Sequence, residues 1–170
     1  MSMNHYPVRS SGKQRGMALL VSLVFLLLLT LIGISSMQNA NLQEKMAGSV
    51  KLRNESFQFA ETALRAGETV VQAQAYSLPV CPNTTKCAPP AEAVDPNTPL
   101  VAGLNTTSGV TWVTSNSGFY GIQKLGTTKD PVNMNLAGME DSLPWTLYRI
   151  TGVGVQGTSK TVLESIYVKK

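Results

Sequence analysis

The run MALLVSLVFLLLLTLIGISSM, from Met17 to Met37, is 21 residues without a formal charge. At a helical rise of about 1.5 Å per residue it reaches about 30 Å, the thickness of a bilayer core. Its polar members are Ser22, Thr30, Ser35 and Ser36. Their hydroxyls can bond back to helical carbonyls, so a helix here is expected to leave no unsatisfied group in lipid. Arg9, Lys13 and Arg15 precede the run with no acid among them, and the first acid after it is Glu44. That asymmetry predicts a cytoplasmic N-terminus and a periplasmic or exterior remainder. An ordinary secretory signal does not fit, because its apolar region is about 7–15 residues long and ends in a small-x-small site. A permanent single-pass anchor fits the apolar run equally well.

The 170 residues carry 14 Lys+Arg against 10 Asp+Glu, a net charge of +4, with 43% apolar content, one domain's worth of chain. A basic surplus points to nucleic acid when it clusters on the folded product. Here three of the basic residues lie in the first 16, so no nucleic-acid partner is expected. The one histidine, His5, lies in the same stretch, which leaves no imidazole further on for a Ser-His-Asp triad, a Cys-His pair or a zinc site. Neither a Gly-x-Gly-x-x-Gly nor a Walker-type loop is present. No catalytic residue, metal or cofactor is expected.

The helical reading continues past the membrane edge. No proline occurs between Pro7 and Pro79, and apolar or small residues recur at Leu42, Met46, Val50, Phe57, Ala60, Leu64, Val71, Ala75 and Leu78. Those spacings are sums of three and four, the helical period. Lys51 with Glu55 and Glu61 with Arg65 fall at i,i+4 on the other side. One helix from Met17 to about Tyr76, roughly 90 Å long, is predicted, apolar all round over 17–37 and striped over 38–76. Local softness is expected at Gly33, Gly48 and Gly67, since glycine costs about 1 kcal/mol in a helix interior.

Lys13-Gln14-Arg15-Gly16-Met17-Ala18-Leu19-Leu20 resembles the class III leader of type IV prepilins. The resemblance implies that residues 1–16 form a leader, that a membrane prepilin peptidase cuts after Gly16 on the cytoplasmic side, and that Met17 is then N-methylated. A residue without a side chain lets a peptidase approach the backbone, and the charges of Lys13 and Arg15 hold the site at the membrane face. Glu44-Lys45-Met46-Ala47-Gly48 and Phe59-Ala60-Glu61-Thr62-Ala63-Leu64-Arg65-Ala66-Gly67-Glu68 are similar to the N-terminal signature of PilX-type minor pilins. Leader and signature together cover about the first 70 residues. They imply the pilin lollipop, an α+β fold in which a long N-terminal helix, half of it transmembrane, packs on a C-terminal antiparallel sheet. Implied partners are the inner membrane, the major pilin and other minor pilins through the helix, and a large tip adhesin.

One position departs from the major pilins, which resemble one another in a glutamate at mature position five; here that position is Val21. In the family that carboxylate neutralises the terminal ammonium of the subunit ahead. A subunit that enters first has none ahead, so the departure fits a priming or tip role. The K-type pseudopilin of type II secretion shares this feature and stands as the alternative in the same class, although such proteins carry a helical insertion in the head. A permanent membrane-anchored binding module is the alternative from another class.

Residues 77–170 form the expected periplasmic head. Six of the nine prolines fall between Pro79 and Pro99, so a loop is predicted there. Cys81 and Cys87 bracket five residues, and in an oxidising periplasm the two thiols are read as a short-loop disulfide, since the loop offers no metal ligands and lacks Cys-x-x-Cys spacing. Val110–Thr114, Gly118–Gln123, Thr146–Val155 and Thr161–Val168 read as strands, the last two a hairpin joined by Gln156–Lys160. Glu140-Asp141 is read as a solvated loop, and Trp112, Trp145 and Tyr148 as core aromatics.

Overall fold

The computed structural model describes residues 15–130 and 144–170, so Lys13 and the rest of the expected leader before Arg15, and Glu140-Asp141, lie outside the described residues. Two compact units divide the chain between Ala47 and Gly48. Helix α1 runs from Arg15 to Gln72 without a break, through Gly33, Gly48 and Gly67 alike. In the first unit every residue of the helix whose burial is described is exposed.

The second unit is α+β, as expected. After α1 come two single-turn helices, α2 (Thr84–Cys87) and α3 (Ala91–Val94), then five strands: β1 (Gly103–Leu104), β2 (Thr111–Ser115), β3 (Gly118–Thr128), β4 (Trp145–Gln156) and β5 (Ser159–Lys169). They form one antiparallel meander in the order β1-β2-β3-β4-β5. Two-residue turns join β2 to β3 and β4 to β5, and each begins at a residue with positive φ, Asn116 (50°) and Gly157 (56°). Asn and Gly tolerate that conformation best, and it suits the right-handed twist of a hairpin. The four expected strands are all present; β1 and the two short helices were not foreseen. Single turns carry no period, and α2 depends instead on a side-chain cap, with Lys86 N–H donating to Asn83 Oδ1 at 2.8 Å.

From Gly48 on, α1 packs on one face of the sheet, where Val71, Tyr148 and Ile150 are buried with Leu64, Tyr76, Leu78, Ile122 and Tyr167 around them. On the other face Ala93 and Leu100 of the loop after the helix pack with Val110, Trp112 and Val153. The apolar stripe needs correcting. Ala60 and Val71 are buried and Leu64 and Leu78 part-buried as expected, but Leu42, Met46, Val50, Phe57 and Ala75 are exposed, and Ser56, Ala63 and Gly67 are buried in addition. Small side chains line the contact because β4 brings glycines against it: a Cβ on Gly152 would meet Ala60 O at 2.5 Å, and one on Gly154 would meet Ser56 O at 2.0 Å. Backbone lies almost on backbone, so there is no room for a large apolar residue.

Gly67 has the same explanation, since its Cβ would come within 2.6 Å of Ile150 Cγ2. It is a packing glycine, whereas Gly33 and Gly48 face open space. The helix also stops at Gln72, four residues short of the expected end. The chain then bends so that Tyr76 stacks at a tilt on Tyr148, with ring centroids 5.9 Å apart. Lys169 Nζ donates to the carbonyls of Ala73 and Tyr76, a cation at the helix C-terminus where the dipole favours it.

Candidate filament and membrane interface

Among the described residues one helix is long and apolar enough to cross a membrane, and none of its apolar window is buried within the chain. Of the four hydroxyls in the run, Ser22 donates to Leu19 O at 2.9 Å and Thr30 to Leu27 O at 2.7 Å. These two are satisfied locally, as expected. Ser35 and Ser36 show no such bond among the described residues, which corrects that part of the expectation. They lie at the C-terminal end of the run, in the last turn before Met37.

Arg15 opens α1, and Gly16 and Met17 are its next two residues. A Cβ on Gly16 would meet nothing within 4 Å, so packing within this chain does not require a glycine there. Val21 is 48% exposed, one turn beyond Met17, and presents an aliphatic surface. Leu42 and Met46 in the first unit, and Val50 and Phe57 in the second, are also exposed. Such apolar groups on a helix outside its own fold mark contact with lipid or protein.

The charged pairs on α1 form as read, Lys51–Glu55 at 3.8 Å and Glu61–Arg65 at 2.6 Å. Glu61 holds the Arg65 guanidinium above its ordinary pKa, first through the hydrogen bond and then through its charge. Both pairs lie on the helix surface, where solvent and salt screen them, so they add little to stability.

In the head Cys81 and Cys87 are joined by a disulfide, with Cα atoms 5.3 Å apart. The bridge fixes a loop that the sheet also grips: Gln123 Nε2 donates to Lys86 O at 2.6 Å and Ala88 O at 3.1 Å, and Arg149, paired with Glu164 at 2.8 Å, donates to Cys87 O. Trp112 and Tyr148 are buried, while Trp145 is partly exposed with Lys170 Nζ over its ring at 5.3 Å.

Sequence reasoning missed Glu92. It is buried in α3 and its carboxylate accepts from Ser108 Oγ and, at 3.1 Å, from Trp112 Nε1. Lys160 Nζ sits over the end of the same helix, donating to Glu92 O at 3.0 Å and Asp95 O at 2.8 Å. Burial lowers the Lys160 pKa, against the pull of Asp95 and Glu92. A glutamate between prolines and alanines gives no sign in the sequence that it will be buried. The glycines of Thr151-Gly152-Val153-Gly154 did offer one, since residues two apart on a strand share a face. Among the described residues no three His, Cys, Asp or Glu gather as a metal site.

Residues 15–65, almost the whole of α1, match the family model described as PilX N-terminal. No curated protein and no solved structure matches the chain. The match falls on the exposed apolar helix and on the small-residue face that docks on the sheet. The similarity to the PilX N-terminal family is thus carried on the helix and not on the head.

Proposed function

We propose that this chain is a minor pilin of the PilX type that primes type IV pilus assembly and takes a place near the pilus tip, beside other minor pilins and a large tip adhesin, in support of adhesion and twitching motility. The observation that carries this reading is Val21, an exposed aliphatic residue where a shaft subunit needs a carboxylate. A carboxylate in a membrane helix is costly unless it is paired. A subunit with no neighbour ahead has nothing to pair it with, so valine is the better residue there.

On this reading prepilin peptidase removes residues 1–16 after Gly16 at the inner membrane, and Met17 becomes the N-methylated first residue. The mature chain then holds 11 Lys+Arg against 10 Asp+Glu, a net charge of +1 in place of +4. The basic surplus thus serves orientation and cleavage and is absent from the working surface. Transfer of the apolar helix from lipid into a bundle of pilin helices costs little, because both surroundings are apolar. The head faces the periplasm and supplies specificity through side contacts. The role is structural and not enzymatic.

A K-type pseudopilin would share Val21, but the described part of the head holds only two four-residue helices, which is less than the insertion typical of that group. Mass spectrometry of the N-terminal peptide from membranes tests the processing: N-methyl-Met17 is expected, and a chain that retains Arg15-Gly16 overturns the pilin role in favour of a permanent anchor. Immunogold labelling of sheared pili tests the position, with label expected at one end and dense label along the shaft overturning it.

A further inference from the structure

The edge of β3 that faces away from β4 is paired twice, with a gap between. Tyr120 pairs with Val113 of β2, and beyond it Lys124 bridges Val80 in the parallel sense, with Cys81 N–H donating to Lys124 O at 3.0 Å. Backbone groups of alternate strand residues point to the same edge. Ile122, midway between Tyr120 and Lys124, therefore presents its N–H and C=O to this edge, where it has no ladder partner among the described residues. An open strand edge of this kind is a template for another chain.

The gap opens into a cleft of about 410 Å³ lined by Val70, Leu78, Val80, Val113 and Ile122. Val80 and Val113 on either side of the gap are 49% and 40% exposed, so two aliphatic side chains flank its mouth. The cleft size is within the range of about 300–1,000 Å³ that holds specific ligands. Gln123 also lines it and is only 6% exposed. Its Nε2 is committed to two carbonyls, which fixes the amide and leaves Oε1 buried with no donor among the described residues. A buried acceptor left in that state is costly, so its donor is to be sought in an occupant. Two cations, Lys86 and Lys124, complete the lining, and neither ammonium has an acidic partner among the described residues. The Lys86 stem lies across Gly109, where a Cβ would be 3.3 Å from its Cδ.

We propose that this cleft binds an extended peptide segment of a partner protein: its main chain pairs with Ile122, its apolar side chain enters between Val80 and Val113, and its acidic residue meets Lys86 and Lys124. Strand addition gives such a contact its affinity through main-chain hydrogen bonds and its specificity through alternate side-chain pockets. A fatty acid would satisfy the apolar lining and the lysines, but it brings no N–H for Gln123 Oε1 and no backbone for Ile122. The peptide site does not depend on cleavage at Gly16 or on tip placement, so it can stand or fall separately from the proposed function.

The test uses the full chain in phospholipid nanodiscs and a fluorescein-labelled heptapeptide that alternates Val with Glu and Thr, read by anisotropy and by hydrogen exchange of the segment containing Ile122. Saturable binding that slows exchange there is expected. N-methylation of the central peptide amide should abolish it, and the double variant Lys86→Glu with Lys124→Glu should weaken it about tenfold. If the double variant loses its thermal transition, Val113→Thr at the mouth reads the same contact. Absence of saturable binding, equal binding of the N-methylated peptide, unchanged exchange at Ile122, or protection by sodium laurate but not by the peptide each overturns the proposal.

Discussion

Gly154 lies against the carbonyl of Ser56, so close that a Cβ on the glycine would come within 2.0 Å of that oxygen and 2.4 Å of Ala60 N. Neither obstacle is a flexible side-chain end that could swing aside. Ser56 is also held in place, with its hydroxyl 3.0 Å from Ser159 Oγ and 2.7 Å from Thr161 Oγ1 of β5. The helix is thus fixed to the β4–β5 hairpin both by contact and by hydrogen bonds.

Gly154→Ala should therefore push α1 off the sheet and destabilise the head by more than about 3 kcal/mol, read as loss of the thermal transition. Gly48→Ala, in the same helix but facing open space, should raise stability by up to about 1 kcal/mol. Two glycine substitutions with opposite signs would separate packing from helix propensity. Equal small effects would contradict the close approach.

Glu92 gives a second stability test. Its carboxylate is the acceptor for both Ser108 Oγ and the Trp112 indole, in a buried setting. Glu92→Ala leaves two buried donors without a partner, at about 1–3 kcal/mol each. Glu92→Gln retains an acceptor oxygen and should lose less than half as much. Denaturation followed by Trp112 fluorescence checks both, and identical losses for the two variants would count against the hydrogen-bonded role.

The division between what could and could not be read in the sequence follows from range. The uncharged apolar run Met17–Met37 and the period of α1 are local, and they carried over into the helix and into the i,i+4 pairs Lys51–Glu55 and Glu61–Arg65. Alternation in β2 to β5 is also local, and all four strands formed. The face that α1 buries was legible only in part from its apolar residues, at Ala60, Leu64 and Val71. It is decided by Gly152 and Gly154, about ninety residues away, which select Ser56, Ala60 and Ala63 over the larger Val50 and Phe57. Glu92, Gln123 and the open edge at Ile122 are products of the covering loop, whose single-turn helices have no period to read.

Val21→Glu tests the helix reading by restoring the carboxylate. If Val21 keeps the subunit at the tip, the variant gains the group that neutralises a neighbour ahead and should enter the shaft, raising immunogold label per pilus several-fold. Pilus number should fall at the same time, because fewer copies remain to prime assembly. Label that stays at one end in the variant would show that another feature sets the position.

The last prediction concerns alkaline pH and rests on Tyr76. Burial pushes its phenol from an ordinary 10.0 up to about 12, with Tyr148 and Tyr120 adding to the shift, and Tyr148 is raised by burial as well. The folded state holds these protons more tightly than the unfolded state, so the stability they contribute is present in full below about pH 10. It is lost as pH rises towards 12. Lys160 acts with the opposite sign, because burial lowers its pKa and the fold gains as it deprotonates; that gain ends at its ordinary value of 10.5. Of these three groups, only the tyrosines still act above that point. The head should therefore hold its stability up to about pH 10 and weaken steeply beyond about pH 10.5, with phenolate absorbance rising alongside unfolding. Tyr76→Phe retains the ring against Tyr148 and removes the titration, so its stability should fall less between about pH 10.5 and 12. A variant that loses stability over that window as steeply as the unaltered chain would place the alkaline transition elsewhere.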